Sequence, residues 1–448
     1  MKKPILFLTG MLLSLGGFSQ NFVGAQIDSR MGVQSLTLNP ALGSLSRTKL
    51  DINLLSASSF VGSDYLTINL SDLGSLTEGF DVDEDLETNP KPDNNFFGNV
   101  DVLGPSVLMR LNAMSVVSLT TRARGFFNLN NVDGDFYELV TNPETGLVDF
   151  NAEMEDLSGI GHVWGEVGLG YSRLLADRAT HSFSAGINMK LLLGAGGVFG
   201  DSPLLRANYM STNEMVSTQG TLDYGYSLGF DADNIDFSKV QPGFAVDLGF
   251  IYELKGNTEG GDYKLRAGVS VLDIGSVKYI DGYRVNYNME ATIPASEFEE
   301  KDFQEVLDDN FSGTERPFEG KLGLPTSLQV FADYGINHRI YLSAQAGIAL
   351  SQDGDIPVSR VINTLTVTPR IEMRWLSVYS PVSLRQYDST PSWGLGLRMG
   401  PVLIGSGSIL TNALSKKSRT TDLYAAIKLP IYGKDKGKRQ GANGKSQF

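Results

Sequence analysis

Apolar and polar residues alternate with a period of two along most of this chain. In 182–193, Phe183, Ala185, Ile187, Met189, Leu191 and Leu193 alternate with Ser182, Ser184, Gly186, Asn188 and Lys190. In 364–375, Leu365, Val367, Ile371, Met373 and Trp375 oppose Thr364, Thr366, Thr368, Arg370, Glu372 and Arg374. Windows 162–172 and 244–253 repeat the pattern, as do 48–54, 116–124, 221–230, 264–271, 327–335, 339–350, 392–399 and 422–429. Such alternation sends successive side chains to opposite faces of a strand, so the chain reads as all-β.

A soluble sandwich alternates too. Two features favour a membrane barrel. Many segments reach about 10 residues, as a tilted membrane strand requires, whereas globular strands average about 5–6. Connections also alternate in length. Tight links are expected near 400–401, 377–379, 336–338, 273–275, 176–180 and 112–113, with 231–241 a longer member of that set. Longer connections are expected at 72–101, 128–160, 200–213, 255–262, 291–324, 351–363 and 411–420. Outer-membrane barrels place short turns in the periplasm and long loops outside. The expectation is a transmembrane antiparallel up-and-down β-barrel of about 14–16 strands over residues 48–432, both termini periplasmic.

The flanks read differently. Residues 1–20 resemble a secretory signal: Lys2 and Lys3, an apolar run from Ile5 to Leu15, then small residues in Gly17-Phe18-Ser19. That run is shorter than the roughly 20 residues that span a bilayer. Residues 21–47 lack alternation and are rich in Gly, Asn, Pro and Ser, which suits either an N-terminal plug or hatch segment or a loose leader. Residues 433–448 carry Lys434, Lys436, Lys438, Arg439 and Lys445 among Gly, Asn and Ser, the composition of a disordered basic periplasmic tail. A helical insertion is expected at 294–311, opened by a capping box at Ser296-Glu297-Phe298-Glu299. Its Phe298, Phe303, Val306, Leu307 and Phe311 share one face and would lie over the barrel mouth.

Composition agrees. Mean hydropathy is -0.09, which is what alternation produces when the two faces cancel. The 50 glycines among 448 residues suit many tight turns. Cysteine is absent, which removes disulfides, thiolate metal sites, thiol nucleophiles and lipid attachment at cysteine. The three histidines, His162, His181 and His338, are too scattered for a zinc cluster. The net charge of -14 argues against nucleic acid as a partner. No cofactor or metal is expected.

The candidate chemistry is a lumen charge network. Arg122 and Arg124 share a face, as do Arg370, Glu372 and Arg374; Lys190, Asp247, Glu253 and Arg398 lie on the polar parity, with Arg110 and Lys428. Their mixed sign suits charges paired across neighbouring strands better than a selectivity ring. Two acidic runs, Asp81 to Glu87 and Asn131-Val132-Asp133-Gly134-Asp135, lack the full spacing of a calcium loop and read as solvated. His162 and Glu166 share a parity, but no Ser or Asp completes a triad, so the chain is expected to be no enzyme. Trp375 and Trp393 sit on the apolar parity, as interfacial girdle residues do, whereas Trp164 sits on the polar one.

Several features together resemble Bacteroidota-type outer-membrane barrels of the FadL/PorV-like superfamily, in a subgroup without assigned function. They are the signal ending Gly17-Phe18-Ser19-Gln20, the plug motif Asn39-Pro40-Ala41 soon after it, the first strand Thr48 to Leu54 and the closing strand Thr421 to Tyr432. The resemblance implies a barrel of about 14 strands with an N-terminal plug. It implies two roles: a non-enzymatic binding or secretion-associated accessory component of the envelope, as PorV-like members are, or a transporter of small hydrophobic molecules, as FadL-like members are. Outer-membrane lipid, other envelope or secretion proteins, and a hydrophobic small molecule are the partners that follow.

Overall fold

The computed structural model describes residues 21–68, 86–142, 148–227, 242–256, 263–351, 356–388, 390–415 and 418–432. The signal-like residues 1–20, the basic segment 433–448, most of the acidic run 81–87 and the link 231–241 lie outside the described residues.

The twenty-two strand segments of one antiparallel sheet join end to end into fourteen staves that close on themselves. They are β1 (Thr48–Ser63), β2 (Asn94–Leu103 and Ser106–Arg110), β3 (Ser115–Val132), β4 (Phe150–Asp177) and β5 (His181–Met210). Next come β6 (Met215–Ser227 and Pro242–Leu254), β7 (Leu265–Tyr279, Gly282–Asn288 and Ala291–Pro294) and β8 (Ser312–Pro317, Gly320–Gly323 and Ser327–Gly335). The rest are β9 (Ile340–Ala349), β10 (Thr364–Glu372), β11 (Leu376–Tyr379 and Val382–Arg385), β12 (Ser392–Trp393 and Leu395–Met399), β13 (Val402–Ser406) and β14 (Thr420–Tyr432). Each pairs with its sequence neighbour, and β14 returns to β1 from Thr48↔Tyr432 to Gly62↔Thr420. The chain enters and leaves the wall at the end that carries the short turns; this is the turn end, and the opposite one is the loop end.

Residue orientation identifies a membrane wall. On β10, Leu365, Val367 and Ile371 are 46, 40 and 43 % exposed, while Arg370 and Glu372 on the alternate positions are 2 and 3 % exposed. Leu169, Met189, Leu248, Val330, Leu342 and Ile404 likewise face out, whereas Arg124, Lys190, Asp247 and Asp333 are buried. Oily residues outward and charges inward is the rule for strands in lipid. Trp375 and Trp393 face out and Trp164 faces in.

The two longest strands obey a second rule as they run on. β4 has 28 residues and β5 has 30, about three times the 9–11 that cross a bilayer. Towards the loop end their inward residues become apolar: Phe150, Ala152 and Met154 on β4, Leu205, Ala207 and Tyr209 on β5. The outward ones there are polar, such as Asn151, Glu153 and Arg206. The wall thus leaves the lipid and continues as a water-facing extension around its own apolar core. That core takes in Tyr65, Phe136, Leu139, Tyr287 and Ile293.

This extension corrects several sequence expectations. Residues 150–160 and 200–210, expected as loop, are strand. The connection after Leu254, expected as a long one of the outer set, leaves the wall at the turn end, where Lys255 N donates to the carbonyl of Thr180. The tight link expected at 273–275 is an irregularity inside β7: the register slips between Val246↔Ile274 and Leu248↔Val271, and Asp273 takes φ +60°. Asp-Ile-Gly carries turn chemistry, but here it serves a bulge. The turn expected at 377–379 falls at 373–375, and 377–379 belongs to β11.

The insertion at 294–311 holds two short helices, Glu297–Glu300 and Phe303–Asn310. The capping box is not at Ser296, whose side chain makes no cap bond. It is at Asp302, which accepts from Glu305 N while Glu305 reaches back. Val306, Leu307 and Phe311 drop into the loop-end core, with Phe298 and Phe303 against it. In the second acidic run, Asp133 caps helix Gly134–Thr141 by accepting from the N–H groups of Asp135 and Phe136.

Two substitutions on one barrel separate the two rules. Leu365→Arg should cost roughly 2–4 kcal/mol, as for charge at mid-bilayer, while Glu155→Lys on the outer face of the extension should stay within about 0.5 kcal/mol. Urea titration of protein folded into lipid vesicles measures both; equal costs would contradict the assignment of the lipid belt.

Candidate functional site

The interior of the barrel is the candidate site, and its turn-end half is occupied by residues 21–47. This segment is a run of turns, a 3-10 helix at Gly32–Thr37 and one helical turn at Leu42–Leu45. Almost every residue in it is buried, and wall side chains hold it around the circumference. Asp28 accepts from Ser377 Oγ at 2.9 Å, Tyr379 OH at 2.7 Å and Arg398 Nε at 3.3 Å. Arg30 reaches Glu372 at 3.3 Å. Lys428 donates to the carbonyls of Arg30 at 2.7 Å and Met31 at 2.6 Å, and lies 3.2 Å from Asp51. Gln34 donates to Asn53 at 2.7 Å and Ser56 at 2.9 Å. Arg110 donates to the carbonyls of Ser44 and Ser46.

The motif Asn39-Pro40-Ala41 sits against the wall between β5 and β7. Asn39 Nδ2 donates to the carbonyls of Val269 at 3.0 Å and Phe250 at 3.4 Å, and its Oδ1 accepts from Ala41 N at 2.9 Å. The wall is cut away to admit it: a Cβ at Gly186 would strike the backbone of Pro40 and Ala41, and one at Gly249 would strike the Asn39 side chain. Close backbone approach is a setting in which only glycine fits.

Beside the segment lies the main charge cluster. Lys190 Nζ is 2.7 Å from Asp247 and 2.5 Å from Asp273. Arg124 Nη1 is 2.8 Å from Asp273 and 3.1 Å from Glu166. Arg122 pairs with Asp101. Elsewhere Arg370 bridges Asp333 at 2.6 Å and Glu372 at 2.7 Å. Arg266 meets Glu253 at 2.8 Å, and Arg385 meets Asp422 at 2.8 Å.

Of the residues expected in a lumen network, Arg122, Arg124, Lys190 and Asp247 come together in one cluster, and Arg370 and Glu372 in another. Glu253 and Arg398 join separate pairs. Arg374 does not belong: it is exposed in the turn after β10, because the strand ends at Glu372 and parity carries no further. Reasoning from sequence missed Asp28, Asp101, Arg266, Asp273, Asp333, Arg385 and Asp422. Asp333 and Asp422 lie on inward parity in windows already recognised as strands, so that signal was available. Asp28 lies in a segment with no period to read.

His162 and Glu166 have separate partners. His162 Nε2 is 3.1 Å from Tyr279 OH and its ring packs on Trp164. Glu166 takes Arg124 and the indole N–H of Trp164 at 2.8 Å.

Above the segment is a cavity of about 120 Å³. Its floor includes Val33, Leu36 and Thr37, its charged side Arg124, Glu166 and Lys190, and its upper boundary Phe97, Phe126 and Ile362. Ile362 arrives on residues 356–363, which fold inward. The Asn128 carboxamide holds them, donating to the carbonyl of Arg360 at 3.1 Å and accepting from its N–H at 2.9 Å. Beyond lies an apolar layer of Phe60, Trp164, Leu192, Phe199, Val277 and Leu322.

The profile of a family described as a family of unknown function (DUF5723) matches residues 40–407. No curated protein matches. Among solved structures, the chain is similar to the Ralstonia pickettii toluene transporter TbuX, at 10 % identity over 90 % of this chain and 95 % of that one, TM-score 0.43. It is similar to a Pseudomonas aeruginosa FadL homologue, at 11 % identity over 92 % and 98 %, TM-score 0.43. It is also similar to the Pseudomonas putida toluene transporter TodX, at 11 % identity over 92 % and 97 %, TM-score 0.39.

The buried pairs depend on both partners. Arg370→Met should cost roughly 3–5 kcal/mol, since Asp333 then loses its buried counter-charge and Glu372 keeps only Arg30. Arg374→Met should stay within about 0.5 kcal/mol. Comparable losses in urea unfolding of the two variants would refute this placement.

Proposed function

The chain belongs to the family of unknown function (DUF5723), and from that premise we propose that it is an outer-membrane barrel that passes small hydrophobic molecules, with residues 21–47 as its plug. The turn end then faces the periplasm and the loop end the exterior. The observation that carries this reading is the apolar interior layer of Phe60, Phe126, Trp164, Phe199 and Leu322 above the cavity. A water-filled pore presents a polar lumen instead. An interior that is oily above and plugged below suits a solute that leaves water as it enters. Passage requires the plug to shift, and its hydrogen bonds to the wall are many single contacts that can be exchanged one at a time. The role is non-enzymatic: His162 and Glu166, the pair with acid–base potential, are each engaged by structural partners.

A second reading, a binding or secretion-associated accessory component of the envelope, draws on the loop-end extension. Its apolar core of Phe150, Met154, Tyr209, Tyr287 and Phe311 makes a folded head beyond the lipid, fit to present a surface to another envelope protein. Enrichment of one partner from native membranes, lost on trimming that head, would favour it.

The natural absence of cysteine allows a direct test of passage. Asn21 and Ser58 are hydrogen-bonded at 2.9 Å across the plug and β1, so Asn21→Cys with Ser58→Cys ties the start of the plug to the wall on oxidation. Cells carrying the oxidised pair should take up labelled toluene no faster than cells without the protein, and reduction should restore uptake. Uptake that is the same in oxidised, reduced and protein-free cells would end the transport reading.

A further inference from the structure

The cavity above the plug has a chemistry that narrows what it admits. This step rests on the reading of the barrel as a passage for small hydrophobic molecules. Its volume, about 120 Å³, is near that of an engineered apolar cavity of roughly 150 Å³ that binds benzene. A single-ring molecule is therefore the appropriate size. Phe97, Phe126, Leu103, Leu272 and Ile362 offer such a ring an apolar side.

Charged groups share this lining, with Arg124 5.0 Å over the Phe126 ring, and each cation there is already paired. Lys190 faces Asp247, Asp273 and, at 3.9 Å, Glu166. Arg124 faces Asp273, Glu166 and, at 3.7 Å, Asp101. Arg122 faces Asp101 and, at 3.8 Å, Glu166. Three cations thus meet four carboxylates, and the cluster carries an excess negative charge. An incoming carboxylate would find no free cation and would meet that excess in a poorly solvated space, where an unmatched charge is costly.

The remaining polar groups are neutral. The carboxamides of Asn99 and Gln345 line the cavity, and neither side chain has a hydrogen-bond partner among the described residues. A purely apolar ligand would strip water from both and leave them unsatisfied, which is unfavourable. A hydroxyl or amide head would satisfy whichever of the two it meets, because a carboxamide both donates and accepts.

We propose that this cavity is a selectivity site for single-ring amphiphiles with an uncharged hydroxyl or amide head, and that it turns carboxylates away. Among molecules of that size, the site discriminates by charge count and by its two carboxamides.

Three probes with the same apolar body test this: p-cresol, toluene and p-toluate, titrated calorimetrically into the full chain in detergent at pH 7. p-Cresol should bind about tenfold more tightly than toluene, the preference expected when a head satisfies buried polar groups. It should bind at least about a hundredfold more tightly than p-toluate. Asn99→Leu with Gln345→Leu should remove the advantage of p-cresol, weakening p-cresol and tightening toluene; heat-modifiable migration checks that the variant is folded, and Gln345→Ala alone replaces it if it is not. Asp247→Asn, which balances the cluster, should raise p-toluate binding. p-Toluate binding as tightly as p-cresol, or toluene matching p-cresol, would overturn the selectivity site while leaving passage of hydrophobic molecules standing. Binding of none of the three would overturn both.

Discussion

Closure of the backbone ladder is the constraint on which this molecule depends. Lipid offers no hydrogen bonds, so every N–H and C=O at membrane depth must be paired within the wall. The seam between β1 and β14, running from Thr48↔Tyr432 to Gly62↔Thr420, removes the two free edges the sheet would otherwise have. With the seam made, each strand acquires one face for lipid and one for the enclosed interior. The alternation of Leu365, Val367 and Ile371 with Thr366, Thr368 and Arg370 then has a single stable reading.

Closure creates a second problem, which is what fills the inside. Inward parity concentrates Arg, Lys, Asp and Glu in a space with little water. Such charges are tolerable only when paired, since removing one partner strands the other. The wall meets part of this demand from its own strands, as in Arg370 with Asp333 and Lys190 with Asp247. The rest is met by the N-terminal segment. Asp28 takes Arg398, Arg30 takes Glu372, and the carbonyls of Arg30 and Met31 take Lys428. The segment is therefore part of the interior's electrostatic balance as well as an obstruction in it, and any movement that opens a path must exchange these contacts for water or solute.

Beyond the lipid the same strands follow the opposite rule. On β4 the outward series runs from Tyr171 and Leu169 to Glu155, Glu153 and Asn151, while the inward series runs from Ser172 and Glu166 to Met154 and Phe150. The solvent on the outer face has changed from hydrocarbon to water, and the residues have changed with it. The aromatic layer around Trp164 marks the change from a polar to an apolar interior. It places an oily interior above a charged one, which is the gradient the proposed passage uses.

The sequence alone determined the strand period, which residues share the oily face, the identity of most charges on the other face and the absence of periodicity in 21–47. Those properties are local: a period of two needs only neighbours on one strand, and the sign of a residue is its own. The partners are not local. Arg398 pairs with Asp28 across 370 positions, and Arg124 with Asp273 across 149. The strand ends that excluded Arg374, and the bulge that took Asp273-Ile274-Gly275 out of a turn, depend on which residue stands opposite on the next strand. The reversal of the solvent rule along β4 and β5 was hidden for a related reason: alternation looks the same whichever face is apolar. Only the closed wall, which separates an inside from an outside at every height, decides which face meets lipid, which meets water and which meets the chain's own buried segment.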